Sequence, residues 1–222
     1  MFVRRSLLVL ALALSVARCA DQPTAVKAPA GPQFLKWTGT PEFTSQTRAR
    51  RSGAMALVPP LSLEQYTVSF WAVRGESRSI RINYSSTIDN GNHPFLELTT
   101  TDPVFAPESG EIAVGDSVLI TITVDTSKIG VKFEPTGLQF GTTSQLKIYY
   151  GGASGDLNGD GVANAEDASI EQQLLGLWYR EYSDEEWTPV SASQSAEEKS
   201  FSYALPHFCE YAVALLEWAV QL

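Results

Sequence analysis

The sequence has very few cysteines and histidines. Cys19 and Cys209 are the only cysteines among 222 residues. If Cys19 is removed or modified during export, Cys209 has no partner within the chain, which excludes an intramolecular disulfide framework. The only histidines are His93 and His207. A zinc site of several histidines is therefore impossible, and a Ser-His-Asp triad would have to use one of these two residues.

Positive charge is also scarce. The chain has 16 Lys and Arg residues against 25 Asp and Glu residues, which gives a formal net charge of −9. No extended basic face is present, and this excludes nucleic acid as the expected partner. With 44% hydrophobic and 18% charged residues, the chain is sufficient for one globular domain with a sizeable core.

Long hydrophobic runs are absent, apart from Leu7–Val16 near the start. This run is too short to span a membrane. Arg4 and Arg5 precede it and small residues follow at positions 17–20, the pattern of an export signal. We therefore predict a signal peptide over residues 1–19 and an exported protein.

The end of this signal leaves two alternatives open. Val16-Ala17-Arg18-Cys19 resembles a bacterial lipobox, in which Cys19 becomes the lipidated first residue of an envelope lipoprotein. Arg18 departs from that pattern, because the position normally holds a small residue. Ordinary signal peptidase cleavage after Ala17 or Ala20 would instead give a secreted protein.

Two further regions follow the signal. Residues 20–60 are rich in Pro, Ala, Thr and Gln without a sustained hydrophobic period. Such a segment buries too little apolar surface to offset its ordering entropy, so we predict a flexible tether. Residues 61–222 are predicted to form a globular domain.

This domain has the pattern of an all-β protein. Apolar and polar residues alternate in Ser79–Tyr84 and Ser117–Val124, which predicts strands with one buried face. Short strands separated by Gly, Pro and Asn turns indicate an antiparallel β-sandwich. The other predicted strands are Tyr66–Arg74, Phe95–Thr99, Val131–Glu134, Leu146–Tyr150, Leu175–Tyr182 and Trp187–Val190.

The most informative stretch is Asp156–Asp167. Calcium prefers six to eight oxygen ligands, and an EF-hand-like loop supplies them from positions 1, 3, 5, 7, 9 and 12 with glycine at position 6. Gly161 occupies the glycine position here. The predicted Ca²⁺ ligands are Asp156, Asn158, Asp160, the carbonyl of Val162, Asn164 and Asp167. A solvated acidic turn is the alternative, since these residue types are also common in loops.

One short helix, Ala165–Leu174, is predicted directly after this loop, because Ile170 and Leu174 are four residues apart. Loop and helix then form an insertion between two consecutive strands, and the metal is expected to stabilise this crossover. The motif Asp-Leu-Asn-Gly-Asp-Gly resembles the calcium repeat of dockerins, in which Asp is the usual final ligand. Dockerins have two repeats and this chain has one, so a cohesin partner is not implied.

A second resemblance covers residues 63–216. The segments Phe133–Phe140, Leu146–Tyr150 and Phe201–Val213, together with the Trp187 segment, resemble bacterial ZU5-type β-sandwich domains, which are Ig-like. The resemblance implies one closing strand through the tail and a surface domain used for interaction, without general enzymatic activity.

The tail also carries a catalytic alternative. Some ZU5-containing proteins cleave themselves between Phe and Ser in a His-Phe-Ser sequence, and Cys209 stands in place of that serine. The alternative is therefore cleavage at Phe208–Cys209, with Cys209 as the nucleophile beside His207.

Together these observations predict a secreted or lipid-anchored, Ca²⁺-stabilised β-sandwich that acts as a non-enzymatic surface binding or adhesion module. Its expected partner is a surface protein or a glycan, which the sequence does not identify. A carbohydrate-binding module is the alternative in the binding class. Its aromatic platform would be formed by Tyr149, Tyr150, Trp178 and Tyr179.

Overall fold

The computed structural model describes residues 31–51, 54–57, 66–85 and 91–216, with the backbone alone for residues 49–51 and 54–57. The predicted signal peptide, including Cys19, lies outside these residues. Within the described ranges, no helix is long and apolar enough to cross a membrane.

The described residues form sixteen strands and one helix. The strands are β1 (Gln33–Phe34), β2 (Glu42–Arg51), β3 (Ala54–Leu57), β4 (Thr67–Val73), β5 (Ser77–Ser85), β6 (Asn92–Thr101), β7 (Pro103–Ala106), β8 (Gly110–Glu111), β9 (Ser117–Asp125), β10 (Gly130–Glu134), β11 (Gln139–Tyr149), β12 (Leu175–Arg180), β13 (Thr188–Val190), β14 (Ser193–Ser195), β15 (Ser200–His207) and β16 (Glu210–Leu215). The helix is α1 (Ala165–Leu174).

The strands form two antiparallel sheets. The first has the order β13-β12-β16-β10-β9-β4, with β1 pairing with the end of β16. The second has the order β14-β15-β11-β6-β5-β2-β3, with β7 on β11 and β8 on β7. The predicted all-β antiparallel sandwich is confirmed.

The alternating strands build the core as expected. In β9, Ile120, Ile122 and Val124 are buried, while the hydroxyls of Ser69 in β4 and Thr121 in β9 are 3.0 Å apart. Buried and polar residues lie on opposite faces of β9 because successive side chains of a strand point in opposite directions. Buried residues of both sheets form one continuous hydrophobic cluster. Burial of each large apolar side chain in it contributes about 1.5–3 kcal/mol to the free energy of unfolding.

Among the described residues of the predicted tether, three stretches form strands instead, namely β1, β2 and β3, so the prediction is wrong there. Strand β2 pairs with β5 from Glu42↔Ser85 to Arg50↔Ser77, so it belongs to the second sheet. The rings of Trp37 and Tyr84 lie 5.2 Å apart in the core. The sequence of β2 is polar and has no hydrophobic period, so the strand was not predicted. It can still join the sheet, because its backbone groups pair with those of β5 whatever the side chains are.

The tail also differs from the single closing strand that the ZU5 resemblance implies. It forms two strands, β15 in the second sheet and β16 in the first. Phe208 and Cys209 connect them, and both are fully buried. The chain therefore crosses between the sheets at the residues that the self-cleavage alternative concerns.

A second crossover carries the predicted calcium loop. Strand β11 ends at Tyr149 in the second sheet, and β12 begins at Leu175 in the first. The loop and α1 lie between them, and the helix has the predicted bounds. The predicted position of the insertion between consecutive strands is thus confirmed.

Candidate metal centre

The first loop position is held by backbone amides. The Asp156 carboxylate accepts hydrogen bonds from the amides of Gly159 at 2.7 Å, Asp160 at 3.1 Å and Gly161 at 2.9 Å. Gly159 and Gly161 have φ angles of +79° and +91°, which glycine adopts at low cost because it has no Cβ atom. These two residues allow the chain to fold tightly around Asp156.

The middle positions form short local hydrogen bonds. Asn158 Oδ1 accepts the amide N–H of Asp160 at 3.0 Å, and Asp160 Oδ1 accepts that of Val162 at 2.8 Å. The Val162 carbonyl accepts from Asn164 Nδ2 at 3.2 Å. The predicted calcium ligands at positions 3, 5, 7 and 9 thus follow one another along a compact, exposed turn.

Positions 9 and 12 also begin the helix. Asn164 is the N-cap of α1, and its side chain accepts the Glu166 amide at 2.7 Å. The Asp167 carboxylate accepts the Asn164 amide at 2.9 Å, which completes a capping box. Reciprocal capping of this kind satisfies amides that the first helical turn leaves without partners.

Asp167 also reaches the start of the loop. Its Oδ1 atom accepts the amides of Leu157 at 2.7 Å and Asn158 at 3.1 Å, and the residue is 3% exposed. The backbone hydrogen bonds, that from Asn164 first, hold the pKa of the Asp167 carboxyl below its usual range. One carboxylate therefore joins both ends of the twelve-residue loop.

The donor chemistry fits calcium, which binds hard oxygen ligands. The Oδ2 atoms of Asp156 and Asp167 each accept one N–H bond and retain a second lone pair for a cation, whereas the Oδ1 atom of each residue already accepts two N–H bonds. Among the described residues, however, no group of three His, Cys, Asp or Glu side chains is arranged to hold a metal ion. Three of the six predicted calcium ligands are not side chains of these four residue types, namely Asn158, Asn164 and the Val162 carbonyl. Calcium binding at this loop remains a prediction.

A group of interacting polar residues beyond the loop was not predicted, in which Glu171 and Tyr150 are buried, Gln194 is half-buried and Lys199 is exposed. Glu171 in α1 is 8% exposed and accepts a hydrogen bond from the Tyr150 hydroxyl at 2.9 Å. Lys199 Nζ forms an ion pair with its other oxygen. Gln194 Nε2 donates to the Tyr150 hydroxyl at 3.0 Å and to the Glu171 carbonyl at 3.1 Å. We call Glu171, Tyr150, Gln194 and Lys199 the Glu171 cluster.

The Glu171 cluster adjoins a cleft between the loop, the helix and the sandwich. The cleft has a volume of about 440 Å³, and apolar residues such as Leu35, Leu157 and Leu175 line it together with Asp167 and Glu171. Burial raises the pKa of the Tyr150 phenol. The sequence signal for this arrangement is the four-residue spacing of Asp167 and Glu171, which places both acids on one helix face.

The geometry at Cys209 does not favour self-cleavage. The thiol is fully buried, and burial raises its pKa to about 12. A thiol is a nucleophile only as the thiolate, so Cys209 is protonated at neutral pH. The ring of Phe208 stacks on that of Phe133 at 5.0 Å, and a ring nitrogen of His207 lies 3.4 Å from the Phe208 carbonyl oxygen.

The predicted aromatic platform is not an exposed surface. Tyr149, Tyr150 and Trp178 are 9%, 4% and 9% exposed, and Tyr179 is half-buried. Trp178 Nε1 donates to the Ala214 carbonyl at 3.3 Å. Tyr150 belongs to the hydrophobic cluster and Tyr179 packs against it, which is the usual role of large aromatic side chains.

The fold and the loop define the class of protein as an all-β sandwich with an acidic, helix-capping loop on one crossover. Comparison with protein-family models, with curated proteins and with solved structures found no match to this chain. The ZU5 and dockerin resemblances therefore stay predictions.

Proposed function

We propose that this chain is a calcium-stabilised β-sandwich that serves as a non-enzymatic surface binding or adhesion module, exported as a secreted protein or as a lipoprotein anchored through Cys19. The observation that carries the proposal is the loop Asp156–Asp167. Its first and last carboxylates are both oriented by backbone amides, and it lies on a crossover between the two sheets.

A cation at this place has a clear physical role. The twelve residues of the loop carry four negative charges, those of Asp156, Asp160, Glu166 and Asp167, and their mutual repulsion weakens the metal-free loop. A ligand that binds only the native state stabilises it by RT ln(1 + [L]/Kd). Calcium at ten times its dissociation constant then adds about 1.4 kcal/mol to the free energy of unfolding.

The binding role is supported less directly. The resemblance to ZU5-type domains implies a surface domain used for interaction, and the predicted export signal would deliver the chain to that compartment. Calcium is abundant outside cells, so a weak structural site of the extracellular class is occupied there. The partner class remains a surface protein or a glycan.

The test is thermal unfolding of the full chain in millimolar calcium, in millimolar magnesium and in excess chelator. We expect calcium to raise Tm by about 3–6 °C, since about 1.4 kcal/mol is gained and a domain of this size shifts by about 2–4 °C per kcal/mol. Magnesium should give a smaller shift, because it demands a tighter octahedral site.

Asp156→Asn is the diagnostic variant, because it removes charge and retains an oxygen that accepts N–H bonds. It should lose most of the calcium-dependent shift. Asp184→Asn is the matched control, since Asp184 is exposed between β12 and β13 and should keep the full shift. The absence of any calcium shift in the wild-type chain would refute the proposal.

A further inference from the structure

The Glu171 cluster is unusual because it buries the carboxylate of Glu171, whose side chain is 10% exposed, although the side chain of its ion-pair partner Lys199 is 48% exposed. A buried charge is often no more stabilising than a hydrophobic residue of similar size, because desolvation opposes the attraction of its partners. Buried polar groups are best attested as devices that fix one arrangement among several. We therefore expect the cluster to fix the position of α1 on the sandwich.

The positions of its members show what is fixed. Tyr150 follows β11, Gln194 lies in β14, and Lys199 directly precedes β15. All three belong to the second sheet or adjoin it, and they converge on Glu171, in the middle of α1. The cluster thus attaches the helix to the sandwich by directional hydrogen bonds.

The same helix face carries the last predicted ligand. Asp167 and Glu171 are one helical turn apart, since residues four positions apart lie on one face. Both are buried, and both line the same cleft. Asp167 attaches the helix start to Leu157 and Asn158 of the loop. Besides the apolar packing of Ile170 and Leu174, polar contacts consequently hold the helix at two points. Asp167 attaches it to the loop, and Glu171 attaches it to the sandwich.

We propose that the Glu171 cluster positions Asp167 and thereby sets the calcium affinity of the loop. This inference rests on the proposed calcium site. Tyr150, Gln194 and Lys199 act through Glu171 and touch no predicted metal ligand in the hydrogen bonds described above, so they are positioning residues. Calcium binding and docking of α1 on the sandwich are then two coupled equilibria.

Such coupling is reciprocal. If an undocked helix lowers calcium affinity by some factor, calcium favours the docked helix by the same factor. Coupling of this kind typically amounts to a 5-fold to 150-fold change in affinity, and we expect a loss of about 5-fold or more when the cluster is broken. The loop and the cluster would in this way form a calcium-dependent clamp between the two sheets.

The experiment is calcium titration by isothermal calorimetry on the folded full chain, for the wild type, Tyr150→Phe and Lys199→Met. Tyr150→Phe deletes one hydroxyl and keeps the ring, whose centroid lies 5.4 Å from that of Phe201. It is the milder variant if Lys199→Met folds poorly. Kd for calcium should rise about 5-fold or more in both variants.

Two matched controls separate positioning from general loss of stability. Lys147→Met removes the ion pair of Lys147 with Glu198 at 2.8 Å in β11, and Tyr203→Phe removes a hydroxyl in β15. Lys147 pairs with Glu198, and the ring of Tyr203 contacts that of Tyr211, so neither contact involves α1. Their Kd values should stay within about 2-fold of the wild type, because a merely structural change leaves the affinity of the folded protein unaltered.

A second readout is amide hydrogen exchange of α1. In wild type, calcium should slow exchange in the helix, and Tyr150→Phe should speed it in chelator. Unchanged calcium affinity in both cluster variants would overturn the inference and leave the calcium site standing. If the wild-type chain binds no calcium at millimolar concentration, both the site and the inference are overturned.

Discussion

The hydrophobic interior and the β11–β12 crossover are held together by different forces. Ile120, Ile148 and Phe208 in the interior are fully buried and apolar. Across residues 151–174, all of which the structure describes, only Asp167 and Glu171 are buried, and both are acids, while the apolar residues that pack against the interior are only half-buried. Apolar burial is strong and non-directional, whereas hydrogen-bonded carboxylates are directional and respond to cations and protons. The interior therefore supplies stability, and the crossover supplies a place where solution conditions can act.

The largest effect that separates the two regions is expected from Phe208→Ala. The ring of Phe208 packs on Phe133 and Phe140, each with a centroid separation of 5.0 Å. Its removal leaves a cavity and should cost about 3–5 kcal/mol. Urea unfolding in chelator measures this loss. The calcium-dependent rise in Tm should survive wherever the variant still folds, and its disappearance would show that the regions are not separable.

A smaller effect is expected from Asn164→Ala in the crossover. The substitution removes the N-cap of α1, whose side chain accepts the Glu166 amide, and caps of this type contribute about 1 kcal/mol. The loss should be measurable by urea unfolding in chelator. Because Asn164 is also a predicted ligand, calcium should recover less stability than in wild type. A variant as stable as wild type in chelator would contradict the capping role.

The smallest effect is confined to acid pH and concerns Asp167. The pKa of this carboxyl is lowered in the folded chain, below the ordinary value of about 3.9 in the unfolded chain. The ionised form therefore contributes stability above about pH 4, and this contribution is lost as pH falls through the folded pKa.

Asp167→Asn tests this dependence. In chelator, the difference in unfolding free energy between wild type and the variant should be constant from pH 7 to about pH 5 and should narrow below about pH 4. Denaturant titrations at several pH values provide the measurement, with Asp184→Asn as the control of equal charge change. A difference that stays constant down to pH 3 would show that the charge of Asp167 has no part in holding the loop.

The sequence predicted those features that local patterns control. The strand Ser117–Val124 was recognisable from its alternation, and α1 has the predicted bounds because a capping residue, two acids and the spaced residues Ile170 and Leu174 all occur locally. Strand β2 was missed because its sequence is polar, and its membership in the sheet depends on pairing with β5, far along the chain.

For the candidate site, residue types and spacing predicted the ligands, and the structure shows that Asp156 and Asp167 are oriented by backbone amides. The Glu171 cluster could not be predicted in the same way. Lys199 is 28 positions from Glu171, and Tyr150 is 21 positions from it. Contacts at such separations have no local signal, so a buried Glu in a helix resembles any other polar helical residue until the fold is known.

The sequence by itself determined the all-β class, the turn-forming glycines of the loop and the oxygen donors around them, because these depend on residue type and short-range spacing. Only the tertiary structure decided that the crossover with the loop joins the two sheets, that Cys209 is buried with a raised thiol pKa, and that Glu171 meets Lys199. The physical reason is that burial and the pairing of charges depend on which distant segments the hydrophobic interior brings together.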